Sequence, residues 1–329
     1  MNKKSLKVKV LFLFLILICF SLVINAADVK KDIIFAYAVH AIGGDPAKIK
    51  IQGALSEIEK LGWKSLVVSA EGSLERHVAN IETLALSGNI DFLGIGGGDA
   101  RSLEPAIDFV RELGIPIISF DAGLIREGVI TNVTSDNAET GRDLARYLFD
   151  KIGGKGNIVL CEEPMFWACR LRVEAMRKVL KEEYPDIKIV ATVATQYPDG
   201  TQQAMVGLES ILIAHPKGTI QAVYCDHDLP AVGATRAIMA AGRSDEIIVG
   251  GVDADELSVK EYVSKNTPFI VTVAVDYFQN GVAGVNAANE YLHGKRDFPE
   301  SIYMPTLLIT RENAQEYIEK MWPEVEEED

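Results

Sequence analysis

Asp121, His40, His227 and Asp253 each follow an apolar stretch of the sequence, at a point where a strand is predicted to end. Asp121 closes the segment 114–121, whose branched apolar residues lack polar alternation, a pattern typical of a parallel strand buried on both faces. In open α/β sheets the carboxyl ends of parallel strands lie at one edge, where ligands bind. The positions of these side chains therefore predict a polar ligand site. In the alternative interpretation, Asp121 only caps the turn that follows it.

Such residue types are suited to a sugar or polyol. Each ligand hydroxyl both donates and accepts a hydrogen bond, so carboxylates can fix it, and an arginine adds a planar fork of donors. No Ser-His-Asp order, CxxC or HxxxH spacing or paired-carboxylate motif stands out in the sequence. We therefore predict neither an enzyme nor a bound metal or cofactor.

The glycine-rich segment 94–99 follows the third predicted strand. It does not follow the first strand, and no Walker lysine comes after it, so it lacks the context of a nucleotide-binding loop. We expect its glycines to let the backbone approach a ligand, with Asp99 as a contact. An anion-binding nest is the alternative.

Strand and helix patterns alternate along nearly the whole chain. Four βα repeats lead to residue 121, and the alternation restarts after the segment 129–134 and continues to residue 253. A strand over 269–275, a helix over 279–293, an extended segment over 302–309 and a helix over 311–321 follow. This order predicts an α/β fold with two doubly wound parallel sheets and right-handed crossovers.

The first 26 residues have the organisation of a secretory signal peptide. Four lysines precede the apolar run 10–24, and small residues at 26 and 27 allow cleavage. A single-pass membrane anchor is the alternative, but the run is shorter than the roughly 20 residues that span a bilayer. The signal peptide predicts a mature protein that is free in the periplasm.

Length and charge limit the function further. With 329 residues, of which 48% are hydrophobic, the chain can form two domains with proper cores. Its net charge of −14 argues against a nucleic-acid-binding surface, which needs a basic face.

From about residue 33 to 313, the chain resembles periplasmic sugar-binding proteins of the ribose-binding type, whose core is shared with lac-repressor-like regulators. Several short matches carry the resemblance together: Glu59-Lys-Leu-Gly62, Gly114 to Asp121, Thr134-Ser-Asp-Asn137, Arg172 before Glu174-Ala-Met176, Gln221-Ala-Val-Tyr224 and Val249-Gly-Gly-Val-Asp253.

The resemblance implies roles for four residues. Asp121 and Asp253 match the family's two ligand-binding aspartates, and Arg172 matches its ligand-binding arginine. His227 lies where the family usually has asparagine, so a polar contact of different chemistry is expected. For Arg172, a solvated position on a helix surface is the alternative.

Three departures from the family concern the ligand. The first loop, 43–47, has no stacking aromatic; Ala122 stands in place of a frequent arginine; and Val275 stands in place of a ligand-binding glutamine. We expect four other residues to compensate as ligand contacts: Asp45, Lys48, Trp167 and Asp199. Trp167 would supply the stacking surface, and its alternative is a packing role in the core or hinge.

The resemblance also implies the organisation of the chain. Two lobes of the type I periplasmic-binding-protein fold would be joined by three strand crossovers, near Ser135, Val275 and Pro305. The N-terminal lobe would comprise 27–135 with 276–305, and the C-terminal lobe 136–275 with 306–329. The strands that end at Cys161 and Cys225 would be neighbours, so these sulfurs are either bonded or, as the favoured alternative, buried small hydrophobic groups.

The implied function is delivery of a small neutral ligand, a monosaccharide or cyclitol, to the permease of an ABC transporter by hinge closure. A chemoreceptor or sensor kinase is a further possible partner. A secreted sensor or an enzyme on the same fold is the alternative. A DNA-binding regulator would need a helix-turn-helix before the first strand, where this chain has its predicted signal peptide.

Overall fold

The computed structural model of the protein describes residues 32–43 and 45–323. The predicted signal peptide and the acidic residues 324–329 lie outside these residues. Within them, no helix is both long and apolar enough to cross a membrane.

The described chain alternates strands and helices. The strands are β1 (Ile34–Val39), β2 (Lys64–Ser69), β3 (Phe92–Gly96), β4 (Ile117–Phe120), β5 (Val129–Ser135), β6 (Gly156–Glu162), β7 (Ile187–Ala194), β8 (Ala222–Cys225), β9 (Ile248–Asp253), β10 (Phe269–Val275), β11 (Ser301–Met304) and β12 (Thr306–Thr310). The helices are α1 (Asp45–Lys60), α2 (Leu74–Leu86), α3 (Ala100–Glu112), α4 (Asn137–Lys151), α5 (Trp167–Glu182), α6 (Gly200–Ala214), α7 (Asp228–Ala240), the single turn α8 (Glu256–Ser258), α9 (Tyr277–Leu292) and α10 (Ala314–Met321).

The strands form two six-stranded sheets, in the orders β11-β5-β4-β3-β1-β2 and β12-β10-β9-β8-β6-β7. All pairings are parallel except that of β12 with β10. The predicted α/β class with two doubly wound sheets is therefore confirmed. The short α8 and the π-helical turn Val259–Val263 that follows it were not predicted.

Helices cover both faces of each sheet. In the first lobe, α1 packs with α9 and α2 packs with α3; in the second, α4 packs with α5 and α6 with α7. The central strands β3, β4 and β8 are buried throughout. This burial explains why their sequences are predominantly apolar rather than alternating.

The chain passes between the two sheets three times, as the resemblance implied. β5 leads to α4 and β6, β10 leads to α9 and β11, and β11 leads directly to β12. The single extended segment predicted over 302–309 is divided at Pro305, and its halves belong to different sheets. Met304 pairs with Ser135 and Thr306 with Val275, so the three connections lie side by side. The residue limits of the two domains remain a prediction.

Candidate functional site

A cavity of about 510 Å³ is lined by residues of both lobes, at the carboxyl ends of the strands. Five of the nine predicted site residues line it: Asp45, Asp121, Arg172, His227 and Asp253. The cavity therefore brings together the side chains that follow β4, β8 and β9, as expected for a doubly wound fold.

Asp121 is held at the end of β4 by a lysine that sequence reasoning missed. Its backbone has a φ of +54°, a left-handed conformation that aspartate tolerates better than most residues. The carboxylate accepts a short hydrogen bond from the ammonium group of Lys50, which is buried on α1. The same ammonium lies 5.2 Å from the ring centre of Tyr277. The cationic partner of Asp121 is therefore supplied from within the protein.

Asp253 lies at the end of β9 with a φ of +120°, which is rare for a residue with a side chain. Its Oδ1 accepts a 2.7 Å hydrogen bond from the Tyr277 hydroxyl and lies 3.5 Å from Arg172 Nη1. Burial and the charge of Asp253 raise the pKa of Tyr277 well above its ordinary value. The phenol therefore stays protonated and keeps donating to the carboxylate.

Arg172 is fixed from several directions, and only 4% of it is exposed. Its Nε donates to Asn137 Oδ1 at 2.9 Å, and its Nη1 donates to the carbonyl oxygen of Asp226 at 2.9 Å. Asn137 begins α4, directly after the first connection between the sheets. The alternative of a solvated surface arginine is therefore wrong: the guanidinium is buried in the cavity wall.

His227 pairs with a buried carboxylate, because its Nδ1 lies 2.7 Å from Asp226 Oδ1. Burial alone would lower the pKa of His227, but the hydrogen bond and charge of Asp226 outweigh it, and the pKa is raised above 6.5. Asp226 Oδ2 also accepts a 2.6 Å hydrogen bond from the backbone N–H of Glu163. His227 therefore presents a cationic imidazole to the cavity under mildly acidic conditions.

Two acidic side chains face the cavity from opposite lobes. Burial raises the pKa of Asp255 to about 6; hydrogen bonds from Ser258 oppose this shift, and the charges of Asp253 and Asp45 add to it. Asp45 begins α1 of the first lobe, whereas Asp255 precedes α8 of the second.

Within the described chain, the aromatic surface of the cavity comes from four rings. Phe166, Tyr197, Tyr37 and Tyr277 line the cavity. The ring of Phe166 meets those of His40 and Tyr197 edge-on, with centres 5.6 and 6.4 Å apart. Phe166 directly precedes Trp167, so the predicted stacking segment reaches the cavity through a different ring.

Four predicted contacts are not among the described residues that line the cavity: Lys48, Asp99, Trp167 and Asp199. Lys48 lies 3.7 Å from Asp45 and is half exposed. Asp199 is exposed at the start of α6, where its side chain makes no capping hydrogen bond.

Asp99 and Trp167 instead connect the two lobes. Asp99 Oδ1 accepts a 2.7 Å hydrogen bond from Arg170 Nη2 on α5. Burial opposes the ionisation of Asp99, but this bond and the charge of Arg170 lower its pKa overall. The indole of Trp167 lies against Gly123, where a Cβ would come within 2.5 Å of the ring. These contacts between the lobes, which we call the latch, comprise Asp99, Arg170, Gly123 and Trp167.

The three cysteines of the described chain are free and buried. Cys161 and Cys225 are register partners on β6 and β8, as implied, but they are not bonded. Cys169, Asp226 and His227 offer ligand atoms within 4.8 Å of one another, a spacing that can hold a metal ion. Within this group, Asp226 also makes hydrogen bonds with His227 and with the backbone N–H of Glu163.

A family model described as "Periplasmic binding protein domain" matches residues 35–296. The chain is 27% identical to the ribose import binding protein of Bacillus subtilis over 284 residues, which is 86% of this chain and 88% of that protein. It is 28% identical to a xylitol-binding protein of Mycolicibacterium smegmatis, with coverage of 76% and 70%. A solute-binding protein of an ABC transporter from Agrobacterium vitis, solved with bound allitol, superposes with a TM-score of 0.83 at 28% identity, covering 88% of this chain and 99% of that one.

Proposed function

The chain belongs to the periplasmic binding protein domain family, and from that membership we propose that it binds a small neutral sugar, cyclitol or other polyol and delivers it to the permease of an ABC transporter. Its relatives named above bind ribose, xylitol or allitol. The cavity between its lobes would be the binding site.

The observation that carries this proposal is the pairing of two cavity carboxylates with cations of the protein. Asp121 pairs with Lys50, and Asp253 lies beside Arg172 and Tyr277. A ligand therefore does not need to bring a positive charge to balance these two carboxylates. The lone pairs that remain on both carboxylates can accept hydrogen bonds from ligand hydroxyls.

The arrangement of the lobes supports hinge closure. Three adjacent connections join the sheets, and a few residues at such connections can absorb the change in backbone angles that closes two domains around a ligand. The latch contacts join the two lobes and would be lost when the lobes open. We expect the permease to recognise this closed form.

The predicted signal peptide and the family both support a periplasmic location. Chemoreceptor or sensor-kinase contact is compatible with the same closed form, and no feature of the described residues favours it over transport. The relatives named above are binding proteins, which supports a non-catalytic role. Recovery of an unchanged ligand after prolonged incubation would separate binding from an enzymatic function.

A thermal-shift screen of the purified protein tests the proposal. The panel contains pentoses, hexoses, inositols, sugar alcohols and, as a contrasting class, amino acids. A ligand at about 100 times its dissociation constant stabilises the fold by roughly 2.7 kcal/mol, enough to move the midpoint by several degrees. We expect shifts among sugars or polyols only. A shift confined to amino acids, or silence across the panel, would contradict the proposal.

A further inference from the structure

The cavity has an apolar end as well as the polar end around Asp121 and Asp253. Leu229, Val232 and Arg236 lie on one face of α7, at spacings of three and four residues, and all three line the cavity. Leu257, on α8, also lines it and is 46% exposed. Contact with an apolar group would remove the exposed part of this leucine from water, which is energetically favourable.

The opposite wall is formed by small side chains. Pro46 and Ala47, at the start of α1, line the cavity from the first lobe. They belong to the loop that has no aromatic residue where the resemblance implied stacking rings. Asp45 interacts electrostatically with Asp255, so the start of α1 faces the segment that carries Leu257. We call the space between these walls the apolar compartment, lined by Pro46, Ala47, Leu229, Val232 and Leu257.

Three polar side chains at this end each make a hydrogen bond within the protein. Thr201 Oγ1 donates to the carbonyl oxygen of Leu229 at 2.9 Å, Asp255 Oδ1 accepts from the N–H of Ser258 at 2.8 Å, and Arg236 Nε donates to the Tyr262 hydroxyl at 2.9 Å. A ligand hydroxyl placed against the leucine and valine side chains would lose its water without gaining a partner of equal quality. The surface formed by these leucine and valine side chains therefore disfavours ligand hydroxyls.

The size of the cavity agrees with a ligand larger than a simple pentose. Its volume of about 510 Å³ lies within the range of roughly 300–1,000 Å³ that is usual for drug-sized ligands. A single sugar ring held by Asp121, Arg172 and Asp253 would leave the apolar compartment unfilled.

We propose that the ligand is a sugar or polyol that carries an apolar substituent, such as an alkylthio, alkyl or aryl group, and that the apolar compartment binds this substituent. This inference rests on the proposed function, because the hydroxyl-bearing part occupies the polar end. It makes the five compartment residues determinants of ligand specificity.

Calorimetric titration with matched pairs of compounds tests the inference. The pairs are ribose with 5-methylthioribose, ribose with adenosine, and glucose with phenyl β-glucoside. We expect the substituted member of at least one pair to bind at least tenfold more tightly than its parent. If every parent that binds does so as tightly as its substituted partner, the inference is wrong while the proposed function stands. If neither these compounds nor the thermal-shift panel bind, the proposed function itself fails.

Two variants localise the preference. Ala47→Phe fills the compartment from the first lobe, and Leu257→Ser makes its opposite wall polar. In each variant, the dissociation constant of the parent compound divided by that of its substituted partner should fall at least fivefold. Because the readout is a ratio within one protein, a general folding defect does not mimic it. Leu86→Ser, at an exposed leucine on α2, is the matched control and should keep the ratio; an unchanged ratio in both cavity variants would overturn the inference.

Discussion

At the scale of single residues, the site depends on paired charges rather than on isolated acids. Asp121 and Asp253 adopt positive φ angles that few non-glycine residues tolerate, and each is bonded to a buried partner, Lys50 or Tyr277. Strain of this kind persists only where the surrounding structure fixes it, and it concentrates at functional sites. Lys50 and Tyr277 therefore belong to the candidate site as much as the aspartates do.

Tyr277→Phe should weaken ligand binding by about tenfold. The change removes the 2.7 Å hydrogen bond to Asp253, and hydrogen bonds to charged groups contribute about 1.5–3 kcal/mol. Titration calorimetry with a ligand from the screen measures the effect. Tyr303→Phe, at a largely exposed position on β11, is the control; equal affinities of both variants and the native protein would exclude Tyr277 from the site.

His227→Asn should destabilise the protein most at low pH. The folded-state pKa of His227 is raised above 6.5, so protonated His227 stabilises the fold fully below about pH 6.5 and loses this contribution as the pH rises through the folded-state pKa. Asparagine keeps a neutral donor near Asp226 but cannot become charged. Urea unfolding between about pH 5.5 and 9 should show the difference from the native protein shrinking as the pH rises.

The matched control for the loss of a histidine is His293→Asn, at an exposed position after α9. A difference for His227→Asn that grows with pH would contradict the assigned role of Asp226.

At the scale of secondary-structure elements, the sequence predicted the order and type of the elements better than the residues at which the helices begin. The predicted helix over 279–293 begins two residues earlier in the structure, at Tyr277, and the predicted helix over 311–321 begins three residues later, at Ala314. The start at Tyr277 follows the capping residue Asp276, whose side chain accepts a hydrogen bond from the backbone N–H of Gln279. Apolar periodicity marks the buried face of a helix and does not locate its first residue.

The site itself was partly predictable. Asp121, Arg172, His227 and Asp253 were found because strand ends and the resemblance marked them. Lys50 carries a weaker signal, as a charged residue on the buried face of α1. Tyr277 carries none, because its role depends on how the second connection places the start of α9 beside β9. Trp167 and Asp99 were expected to contact ligand, but the packing of α5 against the first lobe makes them contacts between lobes.

Loss of the latch should speed ligand release. Arg170→Ala removes a partly exposed ion pair to Asp99, and such pairs contribute about 0.2–1 kcal/mol, which corresponds to a factor of up to about five in affinity. Trp167→Ala should have a larger effect, because it also removes apolar contact area between the lobes. Stopped-flow measurement should place both effects mainly in the dissociation rate.

Arg111→Ala is the control for the latch, since its partners Asp108 and Glu127 lie within the first lobe. Dissociation rates of Arg170→Ala and Trp167→Ala equal to that of the control would show that these contacts do not stabilise the closed form.

At the scale of the whole molecule, two sheets with the same strand order are joined at one end, and their polar strand ends face a shared cavity. The first lobe supplies Asp121 with Lys50, and the second supplies Asp253 with Arg172. Neither lobe alone holds the full set of hydrogen-bonding groups. Binding and closure are therefore coupled, since a ligand that contacts both lobes stabilises the closed form by its differential affinity for it.

The central claim is that a neutral, hydroxyl-bearing ligand binds between Asp121 and Asp253. Titration calorimetry of Asp121→Asn and Asp253→Asn with the tightest ligand of the screen tests it most directly, with Asp108→Asn as the surface control and circular dichroism as the check on folding. We expect each cavity variant to bind at least tenfold more weakly than the control, about 1.4 kcal/mol or more, while remaining folded. Unchanged affinity in both folded cavity variants would contradict the account.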